Sequence, residues 1–369
     1  MTSSLNIIIS GGGTGGHIYP AVSIAKAILE QYPKANILFI GSNGRMEMEK
    51  VPAAGFEIKG IDIIGLQRKW TIKNLLLPYY ILKSIQQVKN IFQSFQPNAV
   101  IGTGGYVSFP VLFTAQMQRI PTYIQEQNAY AGLANKILSK KAKKIFVAFD
   151  QMEKFFPKDK IILSGNPVRN DLLNIHQLKD TALQFFHLQN SLPVVLVLGG
   201  SLGSRSINNT IANNIDFFLN TPIQLIWQMG RNYYTNLSTE LSNKLQSSKI
   251  YYKDFIYEMN LVYAAADIII SRAGASTIAE LAIVGKPAIL IPSPNVTDDH
   301  QTKNALALVN KNAALMIKDD QVSSILIKEI EQLLNNKPLQ NTLSQNIKSF
   351  AKPNAAKEIA STILNDLGK

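Results

Sequence analysis

Apolar and polar positions alternate in blocks along the chain: a short aliphatic, β-branched run ending on glycine, then a longer stretch with helical spacing. Short continuous apolar runs bounded by turn formers read as strands buried on both faces, and their alternation with helical stretches is the pattern of βα units around a parallel sheet. In the first half this predicts strands over residues 5–10, 36–40 and 99–102, and a first crossover helix over 21–31. In the second half it predicts strands over 194–198, 224–228, 267–271 and 288–291, with helices over 276–284 and 302–311.

The two halves open alike, with an apolar strand, a glycine turn (GGGTGG at 11–16, GGSLGS at 199–204) and then a helix. The turn-prone GNP within 165–169 separates them. The expected fold class is therefore α/β: two doubly wound, Rossmann-like domains facing across a cleft, split between residues 166 and 167. A length of 369 residues suits two such domains, each large enough to bury its own core. Each glycine turn lies between the carboxyl end of a strand and the amino end of a helix, where open N–H groups and the helix dipole favour an anion, most often phosphate. The crevice outside the strand ends is the default ligand site of such sheets, so two of them suggest two phosphorylated partners.

Charge sharpens this picture. The net charge is +12, from 37 Lys and Arg against 25 Asp and Glu. Residues 1–166 carry 19 basic and 9 acidic side chains, and residues 167–369 carry 18 and 16. Within the first half the window 63–149 holds 11 basic residues against one acid, Glu126, so one stretch of one domain supplies nearly all the excess. The absence of Cys excludes disulfides, thiolate zinc sites and thiol nucleophiles together. The start, MTSSLNIIIS, lacks the basic region of a signal peptide. The apolar stretches at 75–82 and 90–118 are too short or too broken by glycine and proline to span a bilayer. Any membrane contact is expected from the surface.

The first turn, ISGGGTGGHIYPA, contains GxGxxG at Gly11, Gly13 and Gly16. A dinucleotide site also needs an acid at the end of the second strand, and here that strand ends in Gly41 and Ser42, with no carboxylate until Glu47. No Gly-Lys-Ser/Thr follows, so it is not a Walker loop either. The unusual feature is the pair Thr14 and His17 inside the glycine run, a hydroxyl and an imidazole at a helix amino end, where a histidine can serve as base or donor toward a bound hydroxyl. The bland alternative is a capping residue beside a tight turn.

Eight segments in order, GGGTGGHIYPA, GTGGYVSFP (102–110), EQNAYAGLANK (126–136), GNPVR (165–169), GGSLGS, DFIYEM (254–259), SRAGASTIAEL (271–281) and DDHQTKNA (298–305), resemble the successive signatures of one bacterial family. Its members add N-acetylglucosamine to undecaprenyl-diphosphate-N-acetylmuramoyl-pentapeptide, converting lipid I to lipid II in peptidoglycan synthesis. The resemblance implies an inverting glycosyltransferase of the GT-B type. Its amino-terminal domain would meet the acceptor and its carboxyl-terminal domain the UDP-sugar, with a last helix at about 350–369 returning to the first domain. Carried over by motif, the donor site would use Thr14, Gly15, Gly16, Asn128, Arg169, Ser201, Ile256, Ala275, Ser276, Thr277, Ile278, Ala279, Glu280 and Gln301. Glu280 would accept both ribose hydroxyls, Ser201 would donate to the diphosphate, and Ile256 would pair with the uracil edge through its backbone. The second glycine loop, with Gly104 and Gly105, would join Gly13 in holding the lipid diphosphate by N–H groups, with Tyr106 along the sugar path. His17 is the first candidate for the base that takes the acceptor proton, and Glu126 the second. No Asp-x-Asp signature is present, so no metal or other cofactor is expected.

The segment 65–89 mixes basic residues with apolar and aromatic ones and has no acid. Arg68, Lys69, Trp70, Lys73, Leu76, Tyr80 and Lys83, with Lys140 and Lys141 from LSKKAKK, form a candidate face for an anionic membrane surface. The alternative for this segment is a helix packing its apolar stripe inward. The expected partners are UDP-N-acetylglucosamine, lipid I and the cytoplasmic face of the bacterial membrane, with room for contacts to other cell-wall synthesis proteins. A nucleic-acid partner is not expected, because no reader motif or aromatic-lined basic groove is visible. The competing enzyme reading is a GT-B transferase acting on a different membrane lipid.

Overall fold

The computed structural model describes residues 5–65, 76–200, 203–296 and 299–369. It divides into two units, Met1–Val168 with Asn354–Lys369, and Arg169–Pro353.

The first unit is a seven-stranded parallel sheet of β1 (Leu5–Gly11), β2 (Ala35–Ser42), β3 (Glu57–Ile61), β4 (Ala99–Gly104), β5 (Thr122–Glu126), β6 (Lys144–Val147) and β7 (Ile161–Leu163), in the order β3-β2-β1-β4-β5-β6-β7. Its strands are apolar on both faces because both are covered. Ile7, Ile9 and Phe39 pack with Ile24 and Ile28 of the helix Gly15–Gln31 and with Ile359 and Ile363 of the last helix, Ala355–Asp366. On the opposite face Ile8, Leu38 and Ile124 pack with Val88, Phe92, Val111 and Leu138 from the helices Leu77–Phe95, Ser108–Met117 and Leu133–Ser139.

The second unit repeats the plan with six parallel strands, β8 (Val194–Leu198), β9 (Gln224–Gln228), β10 (Ile250–Lys253), β11 (Ile268–Ser271), β12 (Ala288–Leu290) and β13 (Leu315–Met316), in the order β10-β9-β8-β11-β12-β13. Its core includes Val195, Val197, Ile211, Phe218, Trp227, Ile268 and Ile330.

In both sheets the chain runs from a central strand to one edge and then returns to the strand on the other side. The order therefore reverses between β1 and β4, and again between β8 and β11. Loops after these neighbouring strands diverge and leave a crevice. GGGTGG and GTGG follow β1 and β4, while GGSLGS and SRAGAS follow β8 and β11, so the glycine motifs stand at the two reversal points.

Strands β3, β5, β6, β7, β10 and β13 lie outside the predicted ranges, and the first helix differs in its start. The first helix begins at Gly15, not at residue 21. Its glycines have poor helix propensity, but tertiary contacts form the first turn anyway: Ile18 is buried in the core, and the Thr103 hydroxyl donates to His17 O at 2.8 Å.

Candidate active site

In the first unit the turn after β1 is shaped from two sides. Thr14 is the extended residue before the helix, yet its hydroxyl does not cap it, and lies instead 3.2 Å from His17 Nδ1. His17 Nδ1 is 3.0 Å from Gly12 O. A carbonyl can only accept, so Nδ1 carries the hydrogen in the neutral ring and the lone pair falls on Nε2. That edge faces the second glycine loop, where a Cβ on Gly104 would lie 3.0 Å from Nε2. Gly104 and Gly105 have φ of 103° and 82°, and a Cβ on Gly105 would lie 2.4 Å from Gly12 O, so only glycine lets the two loops meet. Tyr106 lies against the same turn, its ring beside Gly13.

Gly13 itself departs from expectation. Its N–H, assigned to the acceptor diphosphate, donates to Glu47 Oε2 at 2.9 Å. Glu47 is fully buried, and its other oxygen accepts from Ser42 N–H at 3.0 Å. A carboxylate already holding this amide brings negative charge where the diphosphate was expected. The signal for Glu47 was present in the sequence, as the first acid after the second strand, but its reach to Gly13 is a tertiary fact.

Glu126, at the end of β5, is buried and accepts four hydrogen bonds within its own loop. Oε1 takes Asn128 N–H at 3.1 Å and Asn128 Nδ2 at 3.3 Å; Oε2 takes Gly132 N–H at 3.0 Å and Asn135 Nδ2 at 2.8 Å. Asn128 is thus held in place by Glu126. Beneath this loop Gln125 Nε2 donates to Asn166 Oδ1 and Asn166 Nδ2 to Gln127 O, a buried amide network that ties β5 to the GNP turn.

In the second unit the turn after β8 closes by a bond from Gly203 N–H to Gly200 O at 3.1 Å. Ser201 lies outside the described residues. Arg272, from the loop after β11, donates to Ser204 Oγ, Asp319 Oδ1 and the carbonyls of Ile291 and Pro292, and so binds both crevice loops to the end of β12. Sequence reasoning missed this arginine as an organiser.

The helix Ala275–Val284 starts after Gly274, which has no side chain to cap it. Ala275 and Ile278 are buried, while Ser276, Thr277, Ala279 and Glu280 are half-buried on the same first turns. Glu280 Oε2 accepts from the Tyr263 hydroxyl at 2.9 Å, and Oε1 lies 3.6 Å from Arg169 Nε. The structure thus brings Arg169 to Glu280. Burial raises the Glu280 pKa, opposed by Arg169 and Tyr263. Gln301 uses its carbonyl on Ser293 N–H at 2.9 Å, which leaves its amide hydrogens as its donors. The Ile256 N–H donates to Gln228 Oε1 at 3.0 Å. Among the described residues no group of three or more His, Asp or Glu side chains is placed to share a metal ion.

On the basic face, Arg68, Lys69, Trp70 and Lys73 lie outside the described residues. Leu76, Tyr79 and Leu82 are exposed at the start of the helix Leu77–Phe95, and Tyr80 is half-buried against Tyr79. Lys140 and Lys141 are exposed. Lys83 is a correction, because its ammonium pairs with Asp62 at 2.9 Å and is not a simple surface cation. Three donors, Lys83 first, hold the Asp62 carboxyl down to about 2. No helix among the described residues is long and apolar enough to cross a membrane.

A doubly wound parallel unit with glycine turns at its reversal point is present twice in one chain, and the sequence of both units identifies the class as a two-domain glycosyltransferase. Residues 7–147 match the N-terminal domain of glycosyltransferase family 28 and residues 194–359 its C-terminal domain. The chain belongs to that family. A Flavobacterium psychrophilum relative is 51% identical over 97% of this chain and 96% of its own. It is named UDP-N-acetylglucosamine--N-acetylmuramyl-(pentapeptide) pyrophosphoryl-undecaprenol N-acetylglucosamine transferase. A Cytophaga hutchinsonii relative of the same name is 51% identical over 97% of this chain and 95% of its own. The crystal structure of Acinetobacter baumannii MurG superposes with a TM-score of 0.78 at 28% identity, covering 98% of this chain and 99% of that one.

Proposed function

We propose that this chain transfers N-acetylglucosamine from UDP-N-acetylglucosamine to the 4-hydroxyl of undecaprenyl-diphosphate-N-acetylmuramoyl-pentapeptide, converting lipid I to lipid II. The observation that carries this is the 51% identity, over nearly the whole length of both chains, to relatives named for this transfer. The acceptor oxygen attacks the anomeric carbon, the bond from that carbon to the UDP oxygen breaks on the opposite face, and UDP leaves with the electron pair. His17 Nε2 takes the acceptor proton. Glu126, with both oxygens engaged, holds the Asn128 loop and is no longer the second choice for base. In the second unit Glu280 accepts from the donor ribose. The positive dipole end of the helix Ala275–Val284 and the turn after β8 meet the charge that grows on the leaving diphosphate. No metal takes part in this reading. The enzyme works from the cytoplasmic face of the membrane, docked by the exposed Leu76, Tyr79 and Leu82 with the exposed cations Lys140 and Lys141 of the same unit, while the polyprenyl tail of the acceptor stays in the bilayer.

The test is transfer of radiolabelled N-acetylglucosamine by purified full-length enzyme to lipid I or to diacylglycerol. Label moving to lipid I alone is the expected result. Label moving to diacylglycerol in preference would assign the chain to another lipid transferase.

A further inference from the structure

Glu47 and His17 meet opposite ends of one peptide group. The peptide joining Gly12 to Gly13 offers its N–H to Glu47 Oε2 at 2.9 Å and its carbonyl oxygen to His17 Nδ1 at 3.0 Å. The second Glu47 oxygen is fixed by Ser42 N–H at 3.0 Å, and the side chain is fully buried. Its carboxylate fills the space above Gly12, where an added Cβ would lie 2.1 Å from Oε1. Carboxylate, peptide and imidazole therefore form a three-membered hydrogen-bonded chain.

We propose that Glu47 is the positioning residue for His17, acting through the Gly12–Gly13 peptide. A charge-assisted bond at the N–H end polarises the amide, and the carbonyl at its other end becomes a stronger acceptor. That carbonyl holds the hydrogen on Nδ1 and turns the Nε2 lone pair toward the second glycine loop. When Nε2 takes up a proton, the positive ring is stabilised by the buried negative charge one peptide away. No proton travels along the chain: carboxyl group and peptide are unchanged by the reaction, as a carboxylate orients a catalytic imidazole in a hydrolytic triad. Other titratable groups on the elements packed around the turn are Tyr106 after β4, Glu126 with its own loop donors, and Arg45, Glu49 and Lys50 beside Glu47, all three exposed. Tyr19, on the helix of His17, is also exposed. Of the acids among them, Glu47 is the one bonded to the Gly12–Gly13 peptide. The catalytic consequence rests on the reading of His17 as base; the hydrogen-bonded chain does not.

The full chain has four histidines, His17, His176, His187 and His300, so an enzyme labelled with 15N-histidine gives four imidazole signals, and His17→Gln identifies the one of interest. In the wild-type enzyme the neutral His17 ring is expected as the Nδ1–H tautomer. In Glu47→Gln its titration midpoint is expected about one unit lower, because an anion near the imidazolium is gone, while the other three midpoints stay in place. The acid limb of the kcat profile should move by the same amount with KM little changed. An Nε2–H tautomer in the wild type overturns the proposal, and needs no variant to be seen. So does a His17 midpoint that differs by less than about 0.2 unit between wild type and Glu47→Gln. A shifted midpoint without a shifted acid limb keeps the relay and overturns His17 as base.

Discussion

Glu280, proposed to accept from the donor ribose, is held at a cost to stability. Its carboxylate is largely buried, and burial raises its pKa in the folded enzyme above the ordinary value of 4.5. A raised folded-state pKa means that the contribution to stability is fully present below the unfolded pKa and declines as pH rises through the folded one. Glu280→Gln removes that decline, so its melting temperature, relative to wild type, should improve from about pH 4 to about pH 7. Binding should respond in the opposite sense. Losing a charged acceptor for the ribose is expected to weaken UDP-N-acetylglucosamine binding by about ten- to a hundredfold, read by calorimetry. Unchanged affinity would remove Glu280 from the donor site.

Among the elements, the last helix illustrates how the chain closes its first unit. Residues Ala355–Asp366 leave the second unit and pack on the helix Gly15–Gln31, burying Ile359, Ile363 and Leu364. Ser361 Oγ donates to Gln31 Oε1 at 2.7 Å, and Gln31 Nε2 donates to Lys357 O at 3.1 Å. Each buried aliphatic side chain contributes about 1.5–3 kcal/mol, so three approach the whole stability of an ordinary domain. A chain ended at Pro353 should therefore lose amide protection throughout the first unit and keep it in the second, as followed by hydrogen exchange. Retained protection in β1 and β2 would show the helix to be dispensable.

For the whole molecule the question is the net charge of +12. Counted along the chain, the excess collects in residues 63–149. Folding partly neutralises it: Lys83 pairs with Asp62 and Lys143 with Asp366, and both acids lie outside that window. What remains is exposed cations such as Lys140 and Lys141, and exposed apolar side chains at Leu76, Tyr79 and Leu82. Liposome sedimentation should show binding that rises with anionic lipid and falls several-fold between about 0.1 M and about 0.5 M salt. Tyr79→Glu with Leu82→Glu should weaken it further, and binding indifferent to salt and lipid charge would refute the docking face.

Local patterning sufficed for the doubly wound α/β class, the central strands and the two glycine turns, because apolar runs and glycine-bounded turns are properties of neighbouring residues. The strands β3, β5, β6, β7, β10 and β13 escaped it, being two to five residues long and too brief or too mixed to carry a period. The ordered motifs likewise placed His17, Asn128, Arg169 and Glu280 on the loops and helix starts where the structure finds them. Partnerships were decided elsewhere. That Gly13 N–H belongs to Glu47, that Ile256 N–H belongs to Gln228, and that Arg169 reaches Glu280 depends on residues 28 to 111 positions apart meeting across a sheet. Hydrogen bonds and ion pairs act over a few ångströms of space, and no spacing along the chain reports which groups will be neighbours there.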